Sequence, residues 1–319
     1  MKTRTASRAA VAAAATTRNR VASAVTPLMV TPSPPRKKKP KSTHQSMSSE
    51  QDIREEMRKL VLSRVTIPSG GNTDTLGGWC LVDGLAHCAI ASNGILLPLI
   101  KEHGPPDFYI DQINNKHAST SSEEEEDGYK SFRSLCRIVS GQQLAGSAAR
   151  TIWRRLLNVV DATEEDTTNL TPESILSIVD GGNIEEDLRS PAGLSNSKCN
   201  CIISIANNYR GGNLSDDILL GGEATTDDEV RSRLLGIKGL GPWSVDMFLL
   251  FQCHRSDILP IGDLAFRNGT ANLWEVRGKA KGGGLCERRD KEVMRELHSA
   301  FTPYRSISSY YMYKCSGMK

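Results

Sequence analysis

Apolar residues recur three and four positions apart along most of this chain, and that spacing predicts helices. The first clear case is EQDIREEMRKLVLSR, Glu50 to Arg64, with a start near Ser49. TIPSGGNTDTLGGW, residues 66–79, reads as a loop; apolar positions return from Leu81 to Leu99 until Gly104, Pro105 and Pro106 break the pattern. An acidic insertion, residues 118–128, contains STSSEEEEDG and has no apolar face to bury, so it reads as a surface loop or disorder. Beyond Tyr129 one amphipathic stretch follows another: YKSFRSLCRIVS, GQQLAGSAARTIWRRLLNVV, TPESILSIV with an approximate capping box at Thr171 and Ser174, SNSKCNCIISIANNYR and TDDEVRSRLLGI. No run of period two competes with them, and the predicted fold class is all-α or nearly so.

The pattern is missing from residues 1–49, which are rich in Ala, Thr, Ser and Pro and hold ten Lys or Arg without one Asp or Glu. Such a composition builds no packed core and reads as a disordered basic tail. Its start resembles an organelle transit peptide, mitochondrial or plastid, while Arg36 to Lys41 resembles a nuclear localisation cluster. A solvated tail touching DNA nonspecifically is the third reading. The nucleus is the expected location, with an organelle as a second one.

That tail changes the meaning of the formal charge of +3, because it leaves 30 basic against 37 acidic residues in the helical domain, 50–319. Nucleic-acid binding by that domain must then come from a local patch. The longest apolar run in the C-terminal half, MFLLF, is far shorter than the roughly 20 residues a bilayer requires, and no membrane partner is expected. The eight cysteines contain no CxxC pair and read as reduced thiols. Cys199 and Cys201, two residues apart on a predicted helix, point to different faces and make a poor metal pair.

The densest chemistry lies in LLGIKGLGPWSVDMFLLFQCHRSDILPIGDLAF, Leu234 to Phe266. One helix ends at Gly236, Gly239 and Gly241 bracket Leu240, and the next helix opens at Pro242. Glycines so placed let a tight turn take positive φ, and proline is pre-set for a first helical position. The turn aims backbone N–H groups outward, a geometry suited to one anionic oxygen without any side-chain charge.

The stretch resembles the helix-hairpin-helix, Gly/Pro, Asp superfamily of DNA glycosylases, and most closely its 3-methyladenine DNA glycosylase II branch. The matching segments, in the family's order, are IVSGQQLAGSAA (138–149), AGLSNSKC (192–199), IKGLGPW (237–243), ILPIGDLAFRNG (258–269) and FTPYRSISSYYMY (301–313). The resemblance implies two helical subdomains with an active-site cleft between them. It implies a monomer acting on double-stranded DNA with damaged bases, and a base-excision repair activity that releases alkylated purines of the 3-methyladenine and 7-methylguanine type. The hairpin Ile237, Lys238, Gly239, Leu240 and Gly241 would hold a DNA phosphate. Leu144 would wedge into the space left by the flipped nucleotide, with Gln143 near the orphaned partner base; a buried helix-start leucine is the rival reading. Trp243 would stack on the extruded, electron-poor base, against the rival of a plain core tryptophan. Asp263 would stabilise the oxocarbenium-like sugar as base or electrostatic group, although an interior Asp in such a place is ordinarily a helix cap.

Family members that also cleave the backbone use a lysine nucleophile where this chain has Trp243, which implies a monofunctional enzyme leaving an abasic site. Only Cys286 and Cys315 follow Asp263, so no iron–sulfur cluster is expected. No cofactor is expected to be required, and the hairpin carbonyls could hold a monovalent cation. The chain departs from the pattern at Phe301, at Gly141 and in the glycine-containing insertion KAKGGGLCERRD, which bear on lesion choice, while Tyr304 and Arg305 could support either the pocket or the packing. Two alternatives stand beside this reading: excision of uracil or a deaminated purine by the same scaffold, and a DNA-binding module without catalysis.

Overall fold

A computed structural model describes residues 49–65, 75–76, 79–118, 128–221 and 225–317. The basic tail to residue 48, with both targeting readings, and nearly all of the acidic insertion lie outside the described residues. Four helices come first: α1 (Glu50–Leu62), α2 (Leu81–Ala91), α3 (Leu97–His103) and α4 (Asp107–Ala118). Eight follow in the middle of the chain: α5 (Lys130–Gly141), α6 (Gly146–Val159), α7 (Pro172–Asp180), the single turn α8 (Ser190–Ala192), α9 (Asn196–Arg210), α10 (Asp216–Leu220), α11 (Asp227–Leu235) and α12 (Pro242–Phe251). Then come α13 (Leu264–Leu273), α14 (Lys291–Leu297) and α15 (Arg305–Cys315). The end of the expected loop over 66–79 enters the one β-ladder among the described residues, β1 (Thr75–Leu76) paired antiparallel with β2 (Trp79–Cys80). No described helix is long and apolar enough to cross a membrane.

Local signals set several helix starts. Ser49 and Asp52 close a full capping box on α1, and Thr226 with Glu229 does so on α11. The approximate match at Thr171 is a complete box as well, because the Ser174 hydroxyl replaces the usual glutamate in accepting the Thr171 N–H at 3.0 Å.

The helices enclose two hydrophobic cores within one compact unit. The first is built only from the middle of the chain, with Phe132, Trp153, Ile202, Phe248 and Ile258 among its members. The second joins the two ends: Met57, Leu85 and Tyr109 pack with Phe266, Phe301 and Tyr311. Phe108 and Tyr313 pack against both. The α13 backbone lies directly on α15, where a methyl group on Gly269 would collide with the Met312 carbonyl. The chain passes from the first core back to the second between Ile258 and Phe266, and Asp263 sits on that passage.

His298 lies fully buried in the second core, between the hydroxyls of Thr270 and Ser308 at 3.1 Å each. Burial lowers its pKa from 6.5 to about 3. Between pH 6.5 and about pH 3 the unfolded chain therefore binds a proton that the folded chain refuses, so stability is lost as the pH is lowered. Urea unfolding at pH 5 should show about 2 kcal/mol less stability than at pH 7 from this group. The uncharged variant His298→Gln should lose less over the same interval; an equal loss would assign the effect elsewhere.

Candidate active site

The hairpin joins α11 to α12 with its apolar residues turned inward and its backbone outward. Ile237 and Leu240 are buried in the first core, whereas Lys238 and Gly239 are exposed. Only Gly239 has positive φ, at 105°. The expectation for Gly241 is corrected: it is the extended N-cap of α12, with φ −108° and ψ 176°. Absence of a side chain matters at Gly239 for a second reason, since a Cβ there would lie 2.7 Å from the Cβ of Cys201. Thus Cys201 on α9 is a packing surface for the turn. No side chain caps α12, and Pro242 occupies its first position, so the N–H groups behind it are left for an external acceptor.

Asp263 is a helix cap with a second oxygen that the cap does not use. It is the N-cap of α13, with Oδ1 accepting the Phe266 N–H at 2.9 Å. Its other oxygen, Oδ2, accepts from the indole Nε1 of Trp243 at 2.7 Å. Two donors from two different helices thereby orient one partly exposed carboxylate at the seam between the cores. Trp243 packs against the first core, while its partly exposed indole faces Asp263. Beneath them, Tyr313 is held neutral, its pKa pushed well up by burial and by the charges of Asp263 and Asp246. Asp246 is itself buried, which raises its pKa against the pull of Arg231, 2.7 Å away. Gly262 completes the floor: a methyl there would stand 3.5 Å from the Trp243 Cβ and 3.7 Å from a Glu287 oxygen.

Leu144 and Gln143 lie in the turn between α5 and α6, and both are exposed. The rival reading of Leu144 as a buried helix-start residue fails, since 41% of its surface is open. Gln143 takes a left-handed φ of 58°. Between this turn and the hairpin stands Gln142, which the sequence reading left without a role: its amide nitrogen donates to the Gly239 carbonyl at 3.0 Å and to the Ser244 hydroxyl at 2.9 Å. Its place beside Gln143 in a Gln-Gln pair was the available signal, but nothing in the sequence tells which of the two points inward.

Arg305 does not reach Asp263. It forms a two-point ion pair with Asp257, at 2.6 and 2.8 Å. Tyr304 packs on Trp79 and His87, and Phe301 is buried in the second core. The insertion KAKGGGLCERRD is shaped by buried Asp290, whose Oδ2 accepts the backbone N–H of Lys279 and of Cys286 at 2.7 and 2.8 Å. Among the described residues no three His, Cys, Asp or Glu side chains converge as a metal site.

Residues 136–301, just over half the chain, match the family described as HhH-GPD superfamily base excision DNA repair protein. The match spans α6 to α14 and includes Gln142, Leu144, the hairpin, Trp243 and Asp263. DNA-3-methyladenine glycosylase 1 of Schizosaccharomyces pombe is 26% identical over 204 residues, 64% of this chain and 78% of the relative. DNA-3-methyladenine glycosylase of Saccharomyces cerevisiae is 23% identical over 57% of this chain and 66% of the relative. Among solved structures, that of the S. pombe 3-methyladenine DNA glycosylase in complex with abasic DNA aligns at 24% identity with a TM-score of 0.48, covering 66% of this chain and 92% of the other.

Proposed function

Since the chain belongs to the HhH-GPD superfamily of base excision DNA repair proteins, we propose that it is a monofunctional DNA glycosylase. It extrudes alkylated purines of the 3-methyladenine and 7-methylguanine type from duplex DNA and hydrolyses the base–sugar bond. The observation that carries this reading is the Asp263 carboxylate, oriented by Trp243 from one core and by the α13 backbone from the other.

Extrusion costs a few kcal/mol of lost stacking and pairing. The N–H groups of Gly239, Gly241 and Trp243, none of them used within the hairpin, grip a phosphate of the strand, and exposed Leu144 fills the gap. A ring alkylated at nitrogen is already positively charged, so when the bond to C1′ breaks the electron pair departs with a base that becomes neutral. No general acid is needed. The positive charge appears on the sugar, where Asp263 meets it. Water then adds to C1′, losing its proton to Asp263 or to solvent, and leaves an abasic site. Trp243 occupies the position of the lyase lysine, and Lys238 is exposed on the turn, so neither of these two positions offers an amine to form a Schiff base with the sugar. A monovalent cation on the hairpin would share the Gly239 carbonyl with Gln142.

Incubation with duplexes each carrying one lesion, with released bases identified by chromatography, tests the assignment. Methylated purines should be released, and the strand should break only after alkali treatment. Strand cleavage without alkali would overturn the monofunctional reading, and release of uracil or hypoxanthine alone would replace the substrate class.

A further inference from the structure

The turn between α5 and α6 divides its side chains by direction. Gln143 and Leu144 face solvent, while Gln142 is partly buried and spends both amide hydrogens on the hairpin unit, one on Gly239 and one on Ser244. A carbonyl can only accept, so the Gly239 oxygen fixes which way the Gln142 amide faces. These partners are 97 and 102 residues away in sequence. A second tie lies one turn back: the Lys198 ammonium on α9 donates to the Ser140 carbonyl at 2.9 Å, at the C-terminal end of α5 where a cation complements the helix dipole. Burial lowers the Lys198 pKa. The loop itself is tight, with the Leu144 N–H on the Gly141 carbonyl at 3.2 Å and Gln143 left-handed.

We propose that Gln142 is a positioning residue that locks the Leu144 wedge to the phosphate-binding hairpin, so that gripping the backbone and inserting into the duplex occur as one rigid movement. Without this tie, a phosphate seated at Gly239 would not determine where Leu144 enters the stack. The proposal rests on the reading of Leu144 as the wedge. Loss of the tie therefore affects insertion, not the grip on undamaged DNA, which uses the hairpin N–H groups.

The test uses the full chain on a duplex with a stable abasic-site analogue and 2-aminopurine opposite it, whose fluorescence rises when a wedge disturbs its stacking. It requires no chemistry. Gln142→Glu keeps the shape of the side chain but sets an acceptor against the Gly239 carbonyl, and Gln142→Met keeps its volume without donors, serving if the charged variant does not fold. Either variant should lose most of the fluorescence rise and slow single-turnover base release about tenfold, while affinity for undamaged duplex changes less than about twofold in Gln142→Met, which adds no charge beside the phosphate-binding hairpin. Combining Gln142→Met with Leu144→Ala should be no worse than Leu144→Ala alone, because both remove the same event. A full fluorescence rise in the Gln142 variants, or losses that multiply in the combination, would overturn the proposal. A rise untouched by Leu144→Ala would overturn the wedge reading and the proposal with it. A normal rise in native protein that releases no base would count against the glycosylase reading alone.

Discussion

Asp263→Asn is expected to reduce release of methylated purines about 10²- to 10³-fold, because the variant has no negative charge to set against the developing sugar cation. The native carboxylate uses its two oxygens on two donors, Phe266 N–H and Trp243 Nε1. Asn has one oxygen, so only one of these donors keeps an acceptor and the other meets an NH₂ group. A stability loss of about 1 to 2 kcal/mol should accompany the loss of activity, far too little to unfold the chain at room temperature. Binding to an abasic duplex should persist, since hairpin and wedge are untouched. Trp243→Phe separates the parts: it retains an aromatic face for stacking and removes only the hydrogen bond to Asp263. Its release rate should fall between those of native protein and Asp263→Asn. Measured base release from methylated DNA within twofold of native in Asp263→Asn would rule out the carboxylate as the group that meets the sugar.

Gly239→Ala should produce the largest loss of stability together with loss of DNA binding. Two costs add at this position. A φ of 105° is a region that residues with a Cβ occupy at about 1 to 3 kcal/mol, and the new methyl would sit 2.7 Å from the Cys201 Cβ and 2.8 Å from its sulfur. Overpacking of this kind costs typically about 1 to 3 kcal/mol more. The turn must shift to relieve the contact, which moves both the phosphate-binding N–H groups and the carbonyl that holds Gln142. Thermal unfolding and duplex titration should fall together. Cys201→Gly in the same chain removes the colliding atoms and should restore part of the stability but not the part owed to φ. Full restoration would mean that φ at residue 239 costs nothing.

The hairpin was legible in the sequence because its causes are local. Glycine at 239, proline at 242 and the apolar residues Ile237 and Leu240 constrain a short segment by its own sterics and packing, and the turn follows. Asp263 was legible for the same reason, as a polar residue just ahead of an apolar helix. Cys201 carried no such signal. Its role as the surface beneath Gly239 depends on how closely α9 approaches the turn, a distance that appears in no local pattern. Arg305 was ambiguous from sequence, because one cation can serve a carboxylate at either of two places; packing of α15 gave it Asp257.

The all-α class, the helix starts at Ser49, Thr171 and Thr226, and the order of turn, helix and acid from Leu234 to Phe266 were determined by the sequence itself. Periodicity and capping act within one or two turns, where chain connectivity already holds the interacting groups together. The tertiary structure decided what connectivity cannot. It assembled one core from both ends of the chain and inserted the other between them. It exposed Leu144 and turned Gln142 inward. It also brought the Trp243 indole within 2.7 Å of Asp263. Each of these outcomes depends on which faces of distant helices are packed together to remove apolar surface from water, and a single helix's pattern names the face but not its partner.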